Sequence, residues 1–81
     1  MDKVIRLKIK KELTSAQEKK IIQLKGALIS GGYTDIIHFS EEGEEFYINS
    51  FTTLPERKTE ALAFIAARVN DSSLSNVLEI Q

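Results

Sequence analysis

Apolar and polar positions alternate in two distinct periods along the chain. Residues 3–10 alternate without a break, with Ile5, Leu7 and Ile9 on one side and Val4, Arg6, Lys8 and Lys10 on the other. Period two with β-branched residues predicts a strand with one buried face. From Ser15 the period lengthens. Ile21, Leu24 and Leu28 share one face of a helix that runs to about Ser30, and Ile22 and Ile29 widen its stripe. Ser15 and Glu18 have capping-box spacing at its start. Gly31-Gly32 ends it, because glycine tolerates the left-handed conformation past a helix C-terminus. Residues 35–40 and 44–52 predict two further strands, joined at Glu42-Gly43 in the X-Gly pattern of a tight hairpin. Thr53 as cap, Pro55 in the first turn and Glu56 at the third position open a second helix. Its buried stripe is Ala61, Leu62, Ile65 and Val69, and Asp71-Ser72-Ser73 breaks it. Residues 77–81 read as a short last strand with Leu78 and Ile80 inward.

The predicted order is therefore β-α-β-β-α-β, within one domain spanning residues 1–81. Right-handed crossovers and an antiparallel hairpin leave few topologies open. Interleaving the two units predicts an α+β, ferredoxin-like sandwich: a four-stranded antiparallel sheet in order 4-1-3-2 with both helices on one face. A two-residue turn at Glu42-Gly43 sets Phe39 against Phe46 and Ile37 against Ile48, pointing inward. It sets His38 against Tyr47 and Ile36 against Asn49, pointing outward. Between the first and third strands, the matching register pairs Ile9 with Phe46 and Leu7 with Ile48 inside. Outside it pairs Lys8 with Tyr47, Arg6 with Asn49 and Val4 with Phe51. A one-residue slip of the first strand would bury Arg6, Lys8 and Lys10, so its parity is strongly specified. The open sheet face is then the candidate binding surface, made of Arg6, Lys8, His38, Tyr47, Asn49 and Phe51, with Val4, Ile36 and Val77 around them.

Composition narrows the function classes. The chain has 81 residues, 42% of them apolar, a net charge of −1 and no Cys. That apolar content with balanced charge is not a disordered tail. Without Cys there is no disulfide framework and no thiolate metal site. No run of about 18 apolar residues exists to span a membrane. The first dozen residues alternate apolar with Lys and Arg, which leaves no apolar signal-peptide core, so the expectation is a soluble cytoplasmic domain. With one His and no recognisable nucleophile motif, no enzyme and no cofactor are expected. His38 has Tyr47 beside it in this register, but Asp35 is badly placed to orient its ring as a base. The acidic hairpin tip of Glu41, Glu42, Glu44 and Glu45 lacks the ligand spacing of a calcium loop, so no metal is expected there. It reads as a solvated turn, or as a contact for a basic partner.

Three functions are weighed on this surface. The leading one is a protein–protein interaction, regulatory or inhibitory module. Its open face would be covered by a protein partner or by a second copy in a homodimer, since aromatic and Arg residues in a mixed face have interface composition. The alternative is single-stranded nucleic-acid binding in the manner of RNA-recognition domains. Tyr47 and Phe51 would stack bases there, and Arg6 and Lys8 would meet phosphate. A pI near 5.8 and Arg6 at a position where an aromatic is usual weigh against it. The third is a small-molecule sensor, weakened because the turn Lys11-Glu12-Leu13-Thr14 holds no glycine. Charge is strongly segregated. Residues 1–25 hold eight bases and three acids, a net of +5; residues 26–81 hold three bases and nine acids, a net of −6. Folding brings Lys10, Lys11, Lys19 and Lys20 to the end that carries the acidic tip. That leaves Arg6 and Lys8 unneutralised beside Tyr47.

Overall fold

A computed structural model describes residues 2–81. Strand β1 spans Lys3–Lys10, where the sequence alternates. Helix α1 spans Ser15–Ser30, strand β2 His38–Glu42 and strand β3 Phe46–Thr53. A 3-10 turn over Pro55–Arg57 leads into helix α2, Lys58–Asp71, and the last strand, β4, is Leu78–Ile80. The four strands form one antiparallel sheet in the order β2-β3-β1-β4, which is the predicted order read from the other edge. Ile5, Leu7 and Ile9 of β1 share one core with Ile21, Leu24 and Leu28 of α1 and with Ala61, Ile65 and Val69 of α2. Both helices therefore cover the face to which those β1 residues point. The opposite face is open.

Helix boundaries follow local chemistry with small shifts from the expected ones. The capping box of α1 uses Thr14 and Gln17, one residue before the predicted pair: the Thr14 hydroxyl accepts from the Gln17 N–H and the Gln17 side chain accepts from the Thr14 N–H. Either pair satisfies two orphan amide donors. Thr14 takes the role because its extended backbone ends the turn after β1. At the other end Gly32 takes φ +78°, and the Tyr33 and Gly32 amides donate to the carbonyls of Leu28 and Ile29. That is a Schellman ending, and glycine suits it. Helix α2 ends the same way, with Ser73 at φ +56° and the Leu74 amide on the Val69 carbonyl. The predicted Thr53 cap for α2 does not form. Thr53 is the last residue of β3 and is buried, and the 3-10 turn separates it from the helix.

The main departure is the parity of β3. The hairpin turns through three residues, Gly43, Glu44 and Glu45, so Glu42 pairs with Phe46 and His38 with Ser50. Gly43 takes φ +65° at the start of that loop. Against β1, Ile9 pairs with Tyr47, Leu7 with Asn49 and Ile5 with Phe51. The odd-numbered residues of β3 thus face the helices. Phe46, Ile48, Ser50 and Thr52 face outward, the reverse of the expectation. Since side chains alternate strictly, one residue added to a turn moves a whole strand's side chains to the other face. The parity of β1 and β2 is as predicted: Leu78 and Ile80 also pair with Ile9 and Leu7 on the inner face. Val77, expected on the open face, is buried in the core.

Candidate functional site

The expected open-face constellation divides in two. Arg6, Lys8 and His38 stand on the open face. Tyr47, Asn49 and Phe51 lie on the helix side. Phe51, opposite Ile5, is fully buried in the core. His38 therefore has Ser50 opposite it on its own face rather than the Tyr47 phenol.

What replaces those residues changes the character of the open face. Ile48 sits at its centre opposite Lys8, outside the core, yet is only 4% exposed. Lys8 explains this. Its ammonium lies 4.3 Å from the Phe46 ring centroid and 3.5 Å from the Glu42 carboxylate. To reach both, its aliphatic stem crosses the sheet past Ile48, burying methylenes while the charge stays in water. Lys8 is thus neutralised, contrary to expectation, and Arg6 and Lys10 carry the positive charge of this face. The acidic tip is partly neutralised as well. Lys11 lies 3.3 Å from Glu41 and donates to the Gly43 carbonyl at 3.3 Å, while Glu44 and Glu45 are exposed in the loop. Among the described residues, no group of three or more His, Asp or Glu could hold a metal ion.

A second surface emerges on the helix side, at the β2 edge. Every residue of β2 is exposed, and its outer edge has no neighbour in the sheet among the described residues. Helix α1 packs its 21, 24, 28 stripe onto the sheet centre, so residues one position on are rotated toward the β2 side. Ile22 is 60% exposed there and Ile29 is exposed beside it on the same flank. Phe39 points to the helix side as predicted, but it lies beyond the cover of α1 and is 58% exposed. Between them runs a groove of about 370 Å³, floored by Ile9, Tyr47 and Asn49. The Phe39 and Tyr47 rings meet at 4.6 Å. Lys25 reaches across the groove and donates to the Oδ1 of buried Asn49 at 3.2 Å, with no carboxylate in salt-bridge distance among the described residues. Exposed Ile36 precedes the strand. The sequence carried a sign of this surface in Ile22 and Ile29, which exceed what a single buried stripe needs. The exposure of Phe39 depends on how far α1 reaches over β2, and no local pattern encodes that.

A further aromatic cluster is structural. Tyr33 stacks on Phe64 at 5.4 Å, and the Arg57 guanidinium lies 4.3 Å from the Tyr33 centroid. Arg57 also donates to the Gly32 carbonyl at 2.9 Å and to Glu60 at 3.2 Å. The Glu60 hydrogen bond holds its pKa above the ordinary arginine value. Its donors are engaged in tying the end of α1 to the start of α2, which leaves it poorly placed for a ligand.

No protein-family model matches the chain, and no curated protein matches it. Among the described residues, no helix is long and apolar enough to cross a membrane.

Proposed function

We propose that the chain is a ferredoxin-like protein-interaction module whose contact surface is the β2 edge and the groove between β2 and α1. The strand order, the antiparallel pairing and the one core shared by both helices support the fold reading. The observation that carries the function is the coincidence of two features. A sheet edge with free backbone groups invites strand addition. Here that edge adjoins exposed Ile22 and Phe39, which line one groove. An added strand would satisfy the edge backbone while alternate side chains enter the groove. Single-stranded nucleic acid on the open face has less support, because Tyr47 and Phe51 face the helices and Phe46 already stacks against Lys8.

Photo-crosslinking tests the reading. A benzophenone side chain at position 39 in the native source is expected to give a covalent protein adduct, and one at position 6 on the open face none. Adducts at position 6 with none at position 39 would move the contact to the open face and overturn the reading.

A further inference from the structure

The geometry points to a second copy of this chain as the occupant of the β2 edge, paired antiparallel about a two-fold axis at Ser40. This inference rests on the strand-addition reading and names its partner. The five residues of this strand, His38-Phe39-Ser40-Glu41-Glu42, are self-complementary about Ser40. A symmetric antiparallel pair must be self-complementary, since residue i meets j and j meets i. Centred on Ser40, His38 meets the partner's Glu42 on the open face, twice per dimer. Phe39 meets the partner's Glu41 on the helix side. Centred on Glu41, the pairing sets Glu41 against its own copy, which like-charge repulsion disfavours. Centred on Phe39, it sets both acids against Ile37 and Ile36 and forms no His–Glu pair. Of the three registers, only the Ser40 one sets Glu42, whose carboxylate also lies 3.5 Å from Lys8, against a His side chain.

The same register extends the contact to the helix side. In the joined sheet the two α1 helices lie on one face, and their Ile22 and Ile29 flanks turn toward each other over the seam. Gly26 lies between those residues, with nothing within 4 Å of where a Cβ would stand, so the flank leaves room for side chains from the other copy. The partner's Glu41 comes to the mouth of the groove, on the side where Lys25 stands over Asn49. The His38–Glu42 complementarity on the open face and the exposed apolar surface along the seam thus point to one arrangement. Edge strands commonly carry charges that discourage pairing. In this one, charge disfavours the Glu41-centred register, and of the three only the Ser40-centred register sets His38 against Glu42.

Sedimentation equilibrium of the full chain, from about 10 to about 500 µM, tests this. A monomer–dimer equilibrium is expected. His38→Glu sets two carboxylates against each other twice per dimer and is expected to weaken dimerisation about tenfold or more. Adding Glu42→Lys to that variant restores opposite charges across the seam and is expected to recover most of the affinity. Both positions stand on an exposed strand face, and circular dichroism checks that each variant is folded. A wild-type monomer throughout, or a dimer indifferent to His38→Glu, overturns the inference. A wild-type monomer that still crosslinks another protein through position 39 overturns self-pairing while leaving the strand-addition reading standing. The absence of any adduct at position 39 removes both.

Discussion

The two central strands solve the same packing problem in opposite ways. β1 separates its residues by face: Ile5, Leu7 and Ile9 point into the core, and Arg6, Lys8 and Lys10 point away. β3, its neighbour along the whole length, is apolar on both faces. Tyr47 and Phe51 point toward the helices, and Phe46 and Ile48 toward the open side. A strand like β1 chooses its own face, because the wrong parity would bury three cations. A strand like β3 takes its face from its neighbours: from the length of the hairpin loop, and from the fit of Phe51 between β1 and the helices. The consequence is visible on the open face. The outward apolar residues of β3 need cover, and β1 supplies it through Lys8. The unsegregated strand is covered by the segregated one.

Truncating the two phenylalanines of β3 would break this comparison most directly. A chain of this length has a total stability of about 4–12 kcal/mol. Phe51→Ala removes a fully buried ring and is expected to cost about 3–5 kcal/mol. Phe46→Ala removes a half-buried ring and its contact with the Lys8 ammonium, an expected loss of about 1 kcal/mol. Urea unfolding of both variants checks the difference through the midpoints. Equal losses, or a larger one for Phe46→Ala, would mean that β3 pairs with the opposite parity.

That test also marks how far the sequence could be read. The alternation of residues 3–10 placed β1 to the residue, and the spacing of Leu24 and Leu28 with the Gly31-Gly32 stop placed α1 with its end. Element order then yielded the strand order. Parity in β3 was not legible, since Phe46-Tyr47-Ile48-Asn49-Ser50-Phe51 satisfies either face about equally well. The hairpin had to decide it, and Glu41-Glu42-Gly43-Glu44-Glu45 is compatible with a two- or a three-residue loop. Because one face choice carries a whole strand, that single ambiguity moved Tyr47, Asn49 and Phe51 out of the expected site together. Arg6, Lys8 and His38 kept their places because β1 and β2 are read independently of the loop. The groove beside Phe39 arises where α1 stops covering β2, a tertiary fact without a local signature.

The end of β3 sharpens the contrast at a single atom. Thr53 is inward-facing and buried, and its Oγ1 has no hydrogen-bond partner among the described residues. Thr52, one position earlier, faces outward and is exposed. A buried hydroxyl without a partner costs about 1–3 kcal/mol of desolvation, which an isosteric methyl does not. Thr53→Val is therefore expected to stabilise by about 1 kcal/mol, a rise in Tm of about 4–8 °C. Thr52→Val should move it by less than about 0.5 kcal/mol in either direction. Calorimetry of the pair reads the parity of β3 from its far end, independently of the phenylalanines. The reverse pattern, with Thr52→Val the more stabilising, would contradict the observed register.

The smallest effect asks how β1 covers β3. Lys8 offers two things to its neighbours: a stem that shields Ile48, and a charge placed near both Phe46 and Glu42. Lys8→Ala removes both and is expected to cost about 1 kcal/mol, mostly by exposing Ile48. Lys8→Met keeps a flexible apolar stem of similar length and removes only the charge. Because the Glu42 carboxylate is solvent-exposed, the charge contributes little, and Lys8→Met should cost less than about 0.5 kcal/mol. Raising the salt to about 1 M should shrink the remaining difference between wild type and Lys8→Met, since exposed pairs are screened within a few ångströms at that ionic strength. If Lys8→Met instead costs as much as Lys8→Ala, and salt removes that cost, then electrostatic attraction rather than shielding holds the open face of β3 closed. The dependence of β3 on its neighbour would then be one of charge, not of cover.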